Sequence, residues 1–559
     1  FVAPKTLLPR EGQFNLDGIL SELGSFGKYQ LLLLFLLAFR DSFLSMCNYN
    51  YVFTAAEVPY RCRIPECEST PGYAAHFATN ASCRRPALNE TACEARETNA
   101  TVECEDVVYE DYNSIVAEFD LGCQPWKRTL IGTVHNLGLV FSFVISGLIS
   151  DRYGRKVIIV GTPLMVGAAG VLKSFAFNYW MLIVLEFLET ALGYGNASMV
   201  LSLELVSQEN RVAFSCISDI LASLGGAFFG LIAWKIPYWR HMMRAIYAPL
   251  LIVLFYIFLV DEGVRWLLAH NRKDEAVRVL NKVAKINNIT LSNKAKEMLT
   301  SITEERSKVE KPETERPQIF SVLRSKAIVV RMAIMAACFF SCIFVHSGAI
   351  IYTTSISGSK YLNYSIMMLV DVPTRIVTAF TLTRFGRKTP ICVAYCLCFH
   401  SLFLFTLLSI NDMLQVLFSV WWVSVIFYMA GKMCSSYGNF SVYVVAMELF
   451  PTTSRNSLTN IANTFGRLGS VLAPQAPLLE KYMSGLPSLT FALAALGTAL
   501  LTLCLPDTSR TALPDRVSDA ERIDSLQPVC RCHSTCVCVF LMAVCFRSFE
   551  KNFHRTGSS

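Results

Sequence analysis

Apolar residues in this chain come in long blocks rather than at alternating positions. A block of about 20 apolar residues is enough to cross a bilayer core as a helix. By that measure the pattern predicts an all-α membrane protein with twelve spans. The first six lie near 29–53, 129–150, 157–176, 180–203, 212–235 and 240–260. After a polar stretch, six more lie near 327–352, 361–383, 389–410, 414–446, 457–480 and 486–505. The tenth is long for a span, which implies tilt or extension beyond the core. The polar stretches divide the chain into an N-terminal segment 1–28, a first six-helix half 29–260 with a long loop at 54–126, a central loop 261–326, a second half 327–505 and a tail 506–559. Within the central loop, Asp274 to Asn287 places Ala276, Leu280, Val283 and Ala284 on one face of an amphipathic helix. Glu297 to Gln318 is charge-rich, contains Pro312 and Pro317, and reads as a flexible connector.

Charge gives the spans an orientation. Loop 54–126 holds 5 Lys and Arg against 13 Asp and Glu, whereas loop 261–326 holds 14 against 10. An excess of lysine and arginine marks the cytoplasmic side. The central loop is therefore expected inside and the first loop outside, with both termini cytoplasmic and the protein multi-pass in the plasma membrane. Three glycosylation sequons, at Asn80, Asn89 and Asn99, agree with an external first loop. Asn288 heads a fourth sequon, which stays unmodified if its loop is internal. Six of the 20 cysteines (Cys62, Cys67, Cys83, Cys93, Cys104 and Cys123) also fall in the first loop and are disulfide candidates in an oxidising compartment, with the pairing open. Residues 1–28 lack the charged end, short apolar core and cleavage site of a signal peptide, so the first span is expected to direct insertion.

Composition narrows the classes further. Hydrophobic residues make up 53% of the 559 and charged residues 17%, against roughly a quarter charged in soluble domains. No basic block interleaved with stacking aromatics points to nucleic acid. No P-loop, HExxH or nucleophile elbow points to an enzyme, and no cofactor or metal is expected.

The chain repeats itself internally. Gly147-Leu-Ile-Ser-Asp151-Arg152-Tyr-Gly154-Arg155-Lys156 follows the second span, and Arg384-Phe-Gly386-Arg387-Lys388 follows the eighth, the shared cores starting 232 residues apart. Glu204 precedes Arg211 by seven residues, as Glu448 precedes Arg455, 244 residues on. Two motifs in the same order after equivalent spans imply two related halves, an architecture that places a substrate site between them near mid-membrane. These loops read as a gate: glycines for close helix approach and tight turns, and charges that hold the halves together on the inner side and part when that side opens. A single basic loop would signify no more than a positive-inside anchor; the duplication argues for the gate.

The GLISDRYGRK segment resembles the signature of the major facilitator superfamily. Further segments resemble its organic cation, anion and zwitterion transporter family, solute carrier family 22. These are Phe53-Thr-Ala-Ala56 with Pro59-Tyr-Arg61-Cys62, Asp261-Glu262-Gly-Val-Arg265-Trp266-Leu267-Leu268, Met447-Glu448-Leu449-Phe450-Pro451-Thr452-Thr-Ser-Arg455-Asn456, and Pro506-Asp507 to Pro514. The match runs from about residue 20 to 525. It implies a major facilitator fold of two six-helix halves and transport of small organic ions by alternating access, in contact with lipid and compatible with a coupling ion or counter-substrate. Two positions depart from the pattern. Thr383 stands where the family usually has Asp, which weakens the symmetry of the gate. Glu186 stands where the superfamily often has Arg, which argues against proton coupling through that arginine.

Ionisable residues inside spans are costly and usually face a cavity or a partner. Glu186, Glu189, Asp219, Asp371, Arg375, Lys432 and Arg467 are the deep ones. Asp371 and Arg375 are four apart and can pair on one helix face; Lys432 is read as half of a structural pair. Asn463-Thr-Phe-Gly-Arg467-Leu-Gly resembles helix eleven of the family, where anion- and carnitine-type members tend to have arginine and cation-type members aspartate. Val370-Asp371-Val-Pro373-Thr-Arg375 resembles the anion-type helix eight. Two arginines can clamp a carboxylate through charge-assisted hydrogen bonds, though an ion-pair role remains the alternative for each. Tyr352, Trp421, Trp422, Tyr428 and Phe465 are candidate aromatic walls, and Glu189 and Asp219 candidate cation partners. The expected cargo is an organic anion or a carnitine-like zwitterion, with organic cations as the alternative and a non-transporting receptor as the remote one. In the tail, Cys530, Cys532, Cys536, Cys538 and Cys545 accompany an apolar run too short to span, read as membrane-surface contact.

Overall fold

A computed structural model describes residues 16–24, 26–63, 83–86, 101–104, 106–195, 197–206, 211–290, 292, 325–356, 358–410, 421–451, 455–483, 485–506 and 508. In the first half the spans are α1 (Lys28–Asn48), α2 (Pro125–Tyr153), α3 (Arg155–Lys173), α4 (Tyr179–Gly193, resuming as Ala197–Leu205), α5 (Arg211–Lys235) and α6 (Trp239–Tyr247, continuing as a 3₁₀ stretch Ala248–Phe255). In the second half they are α7 (Lys326–Ile351), α8 (Lys360–Leu369 and Asp371–Phe385), α9 (Lys388–Ile410), α10 (Trp421–Leu449), α11 (Arg455–Leu472, continuing as a 3₁₀ stretch Ala473–Lys481) and α12 (Leu486–Leu503). Nine described stretches are long and apolar enough to cross a membrane by length and composition. The other three spans are α4, α10 and α11, where α4 is interrupted and α11 carries Asn460, Asn463 and Arg467.

Each half builds its own core. In the first, α2 and α3 pack on α4, and α1 on α5; in the second, α7 packs on α11 and α12, and α9 on α10 and α12. Between the halves, α5 meets α8 and α2 meets α11. The first half's core extends across this boundary to take in Ile350, Tyr364 and Met368. All three lie near the ends of α7 and α8 that share a face with the first loop.

That loop is pinned by β1 (Tyr60–Cys62), β2 (Arg84–Pro86), β3 (Thr101–Glu103) and β4 (Val107–Tyr109), with β1 antiparallel to β4 and β2 to β3. Among the described residues the disulfides are Cys62–Cys104 and Cys83–Cys123. Cys67 and Cys93, and the sequons at Asn80, Asn89 and Asn99, lie outside the described residues. Tyr109 donates to Asp120 Oδ1 at 2.7 Å and accepts from Gly122 N at 2.8 Å. Burial and that carboxylate push its phenol above the usual range.

On the opposite face, the amphipathic helix forms as expected, as Lys273–Asn287, burying Ala276, Leu280, Val283 and Ala284. Its apolar stripe joins Leu20, Leu23, Leu33 and Trp266 in one cluster of the first half. Asn287 donates to Leu23 O and Gln30 Oε1 and accepts from Tyr29 N, and Lys282 pairs with Asp261 at 2.7 Å. The connector stretch 297–318 and the tail cysteines lie outside the described residues.

Candidate functional site

The repeated motifs fold alike. Each helix before the motif glycine ends there because the backbone enters a region open to glycine: Gly154 at φ 103°, ψ 166° and Gly386 at φ 85°, ψ −163°. The next residue then turns its guanidinium back. Arg155 donates to Ser150 O at 2.8 Å and pairs with Glu204 at 3.3 Å; Arg387 donates to Leu382 O at 2.5 Å and pairs with Glu448 at 2.8 Å. Glu262 accepts from the backbone N–H groups of Arg155 and Lys156, capping α3. Thr508 donates to Glu448 at 2.6 Å, and Lys388 to Leu503 O at 2.6 Å.

In this state the bonds of the expected gate residues stay inside the halves. Each runs within one half, because the loop after the second span and the end of the fourth span of a half meet on the same face of the same bundle. They do not bridge the halves. Asp151, 80% exposed, pairs with Arg155 four residues on, Arg152 lies over the Tyr153 ring, and Arg384 lies over Phe380. A Cβ on Gly147 would meet no atom within 4 Å, so that glycine serves no close helix approach here. The side chains of Arg211 and Arg455 are outside the described set.

The halves are instead joined toward the first-loop face. Thr129 on α2 donates to Gln475 Oε1 at 3.1 Å, and Gln475 donates to Thr133 at 2.6 Å. Ser365 on α8 donates to Ala227 O on α5 at 2.9 Å. Phe53 lies against Tyr361 and Tyr364, with ring centroids 5.4 and 4.9 Å apart. Above this seal a cleft of about 270 Å³ is lined by residues including Glu57, Arg128, Pro474 and Glu480. Glu57 and Arg128 pair across it at 2.7 Å.

Deeper between the halves lie the two arginines. Arg467 on α11 sets its guanidinium 3.8 Å from the Phe143 ring centroid on α2. It forms no ion pair among the described residues, and its buried Nε has no hydrogen-bond partner. Arg375 on α8 lies over Phe440 at 4.9 Å, and its Nε, 3.9 Å from Asp219 on α5, has no hydrogen-bond partner. Asp371 does not take Arg375, four residues along its helix; it pairs with Lys432 on α10 at 2.8 Å, beside His346. Lys432 is thus the structural partner its sequence suggested. Tyr49, at the end of α1, is within electrostatic reach of both Arg467 and Asp371.

The aromatic candidates are placed differently. Tyr428 is fully buried in the second half's core, donating to Ala349 O at 3.0 Å, and is no cavity wall. Tyr352 is buried beside it and donates to Glu480 at 3.2 Å at the floor of the first-loop cleft. Phe465 is 58% exposed. Two residues apart on a helix are about 200° apart, so Phe465 points away from the face on which Arg467 meets α2. The side chains of Trp421 and Trp422 are outside the described set.

A second charge cluster was only partly foreseen. Lys173 on α3 contacts Glu186 at 2.7 Å and also Glu189, both on α4. His135 Nδ1 on α2 lies 2.7 Å from Glu186, and Tyr247 on α6 donates to Glu189 at 2.7 Å. All five are 0% exposed. The cation absent from helix four is supplied by helix three. The signal for it was in the sequence, as a lone lysine inside the apolar run 157–176.

Twelve spans in two repeated six-helix halves, sealed on one face around an intramembrane charge site, define a membrane transporter of the major facilitator fold. The sequence model of the family described as "Sugar (and other) transporter" matches residues 91–514, and the chain belongs to that family. It is 28% identical to the organic cation transporter protein of Drosophila melanogaster, over 90% of this chain and 94% of that one. It is 26% identical to solute carrier family 22 member 1 of Bos taurus (91% and 93%) and to member 2 of Homo sapiens (91% and 95%). In fold it is similar to the xylose transporter XylE from E. coli in an inward-open conformation, with TM-score 0.55 and 14% identity over 91% of this chain and 100% of that one.

Proposed function

We propose that this transporter carries small organic anions or carnitine-like zwitterions across the plasma membrane by alternating access, with the first loop outside and the central loop and both termini inside. The observation that carries the charge preference is Arg467: a half-buried guanidinium between the halves, held against Phe143 and without a carboxylate partner among the described residues. Lys432 and Asp371 neutralise each other and Arg375 faces Asp219, so Arg467 leaves the region one positive charge in excess. A bound carboxylate would supply the missing acceptor. With the external seal closed and the inner charge contacts confined to each half, the arrangement corresponds to an inward-facing state. A coupling ion or counter-substrate completes the cycle.

Organic cations are the second reading. The Drosophila relative is named for them, and Asp219, half-exposed beside Arg375, is an available carboxylate. Uptake in cells expressing the chain separates the two, using a labelled small organic carboxylate, a carnitine-type zwitterion and a quaternary ammonium cation. Wild type is expected to carry the first or second, and Arg467→Asp to lose at least tenfold of that uptake at unchanged surface expression, the scale of about 1.4 kcal/mol. Uptake of the cation alone would overturn the anion reading.

A further inference from the structure

The cluster around Lys173 has a charge balance that its own residues leave open. One ammonium faces two carboxylates, a net of −1 in a site that is 0% exposed. Uncompensated charge in such a place is strongly disfavoured. One further proton balances it, and the hydrogen bonds say where. All four carboxylate oxygens already have a donor or charge partner: Glu186 Oε1 has His135 and Oε2 has Lys173, while Glu189 Oε1 has Tyr247 and Oε2 has Lys173. His135 lies between two acceptors, Glu186 Oε1 at 2.7 Å and Asn48 Oδ1 at 3.3 Å. Only an imidazolium has a donor for each.

The ring is also connected to the space between the halves. Asn48, whose Oδ1 lies 3.3 Å from His135 Nε2, is followed by Tyr49 at the end of α1, and Tyr49 is within electrostatic reach of Arg467 and Asp371. The groups facing His135 from neighbouring elements are Tyr51 on the segment after α1, with ring centroids 5.0 Å apart, and Tyr194 after α4 at 6.3 Å. The remaining charges are those of Lys173, Glu186 and Glu189, with the Tyr247 hydroxyl and the Cys47 thiol behind them. From α11, Arg467 touches the same helix at Phe143, about two turns along.

We propose that His135 binds one exchangeable proton, held by the Lys173–Glu186–Glu189 cluster and reached from the inter-half space through Asn48 and Tyr49, and that this proton is the coupling ion of the transport cycle. The second clause rests on the transport reading above. The proton comes from water in the inter-half space, adds to the imidazole and returns the same way. While it is bound, Asn48 is held with its carbonyl toward the ring. When it leaves, His135 keeps one donor for two acceptors and that hold is lost, beside the arginine assigned to cargo.

Two measurements on the full chain test this. The first is a proton titration of the purified protein between about pH 5 and pH 8, where histidine ordinarily titrates. Wild type is expected to take up one proton more than His135→Gln. Glu189→Gln balances Lys173 with Glu186 alone, so it too is expected to lose the extra proton, and it carries the test if the first variant does not fold. The second measurement follows a pH dye inside proteoliposomes during uptake of the carboxylate, zwitterion and quaternary ammonium probes. Wild type is expected to move protons with cargo and His135→Gln to move cargo without them. Identical titration curves for wild type and both variants would overturn the site. Probe uptake by wild type with no dye response would overturn the coupling. A chain that titrates the extra proton yet carries none of the three probes keeps the site and overturns the transport reading.

Discussion

Lys432 shows how a buried charge is settled by packing rather than by spacing. Along α8, Arg375 sits at the helical distance from Asp371 that favours a pair, but the carboxylate turns to Lys432 on α10, which is 0% exposed and has no water to turn to. Arg375, with Asp219 and the Phe440 ring at hand, does not need Asp371. Removing one partner of a buried pair leaves the other uncompensated, at a cost of about 3–5 kcal/mol. Lys432→Met is therefore expected to lower thermal stability sharply in detergent, with Asp371→Leu added to it recovering much of the loss; a double variant no better than the single one would contradict the pairing. Sequence could mark all these residues as deep, because ionisable groups stand out in apolar runs. It could not pair them, because Asp371 and Lys432, or Lys173 and Glu186, meet across helices whose rotation is fixed only by the whole bundle. The same limit explains Tyr428 and Phe465, whose aromatic character was visible but whose direction was not.

Among the elements, the two motif glycines are the clearest case of sequence dictating local geometry. Both adopt backbone angles that a Cβ resists, at a cost of about 1–3 kcal/mol, and at Gly154 an added Cβ would strike the Glu262 carboxylate that caps α3. Gly154→Ala is expected to reduce folded yield, measured as the monodisperse fraction on size-exclusion chromatography, and Gly386→Ala to do so through its backbone angles. Gly147→Ala, at a position facing open space, is expected to leave the yield unchanged. Eleven of the twelve spans begin and end within several residues of the apolar blocks that predict them, since length and apolarity alone specify a crossing helix. The tenth is described from Trp421, with residues 411–420 outside the described set. The break in α4 was not legible, because the Tyr194 backbone there bonds Ser142 on α2; the 3₁₀ continuations of α6 and α11 carry Pro249 and Pro474 at their starts, where the missing N–H breaks the α-helical ladder, a local signal.

For the whole molecule, the repeat announced two halves, and the structure supplies the face on which they are shut. Thr129, Thr133 and Gln475 join them through two hydrogen bonds near the first loop. A disulfide between cysteines introduced by Thr129→Cys and Gln475→Cys is expected to hold that face closed. Uptake should then stop under oxidising conditions and return with reductant; uptake unaffected by the cross-link would mean this contact does not part during transport.

Among the described residues, the helix Lys273–Asn287 packs on the first half, from its apolar stripe to the Asn287 bonds with α1. It ends at Asn288 with a left-handed turn at φ 57°. Under the proposed alternating access, the seam between the two moving bodies therefore starts some 28 residues later than the end of the sixth span at Val260 would place it. The first half carries its own keel, and rocking against the second shifts a heavier and less symmetric partner than twelve membrane helices alone suggest.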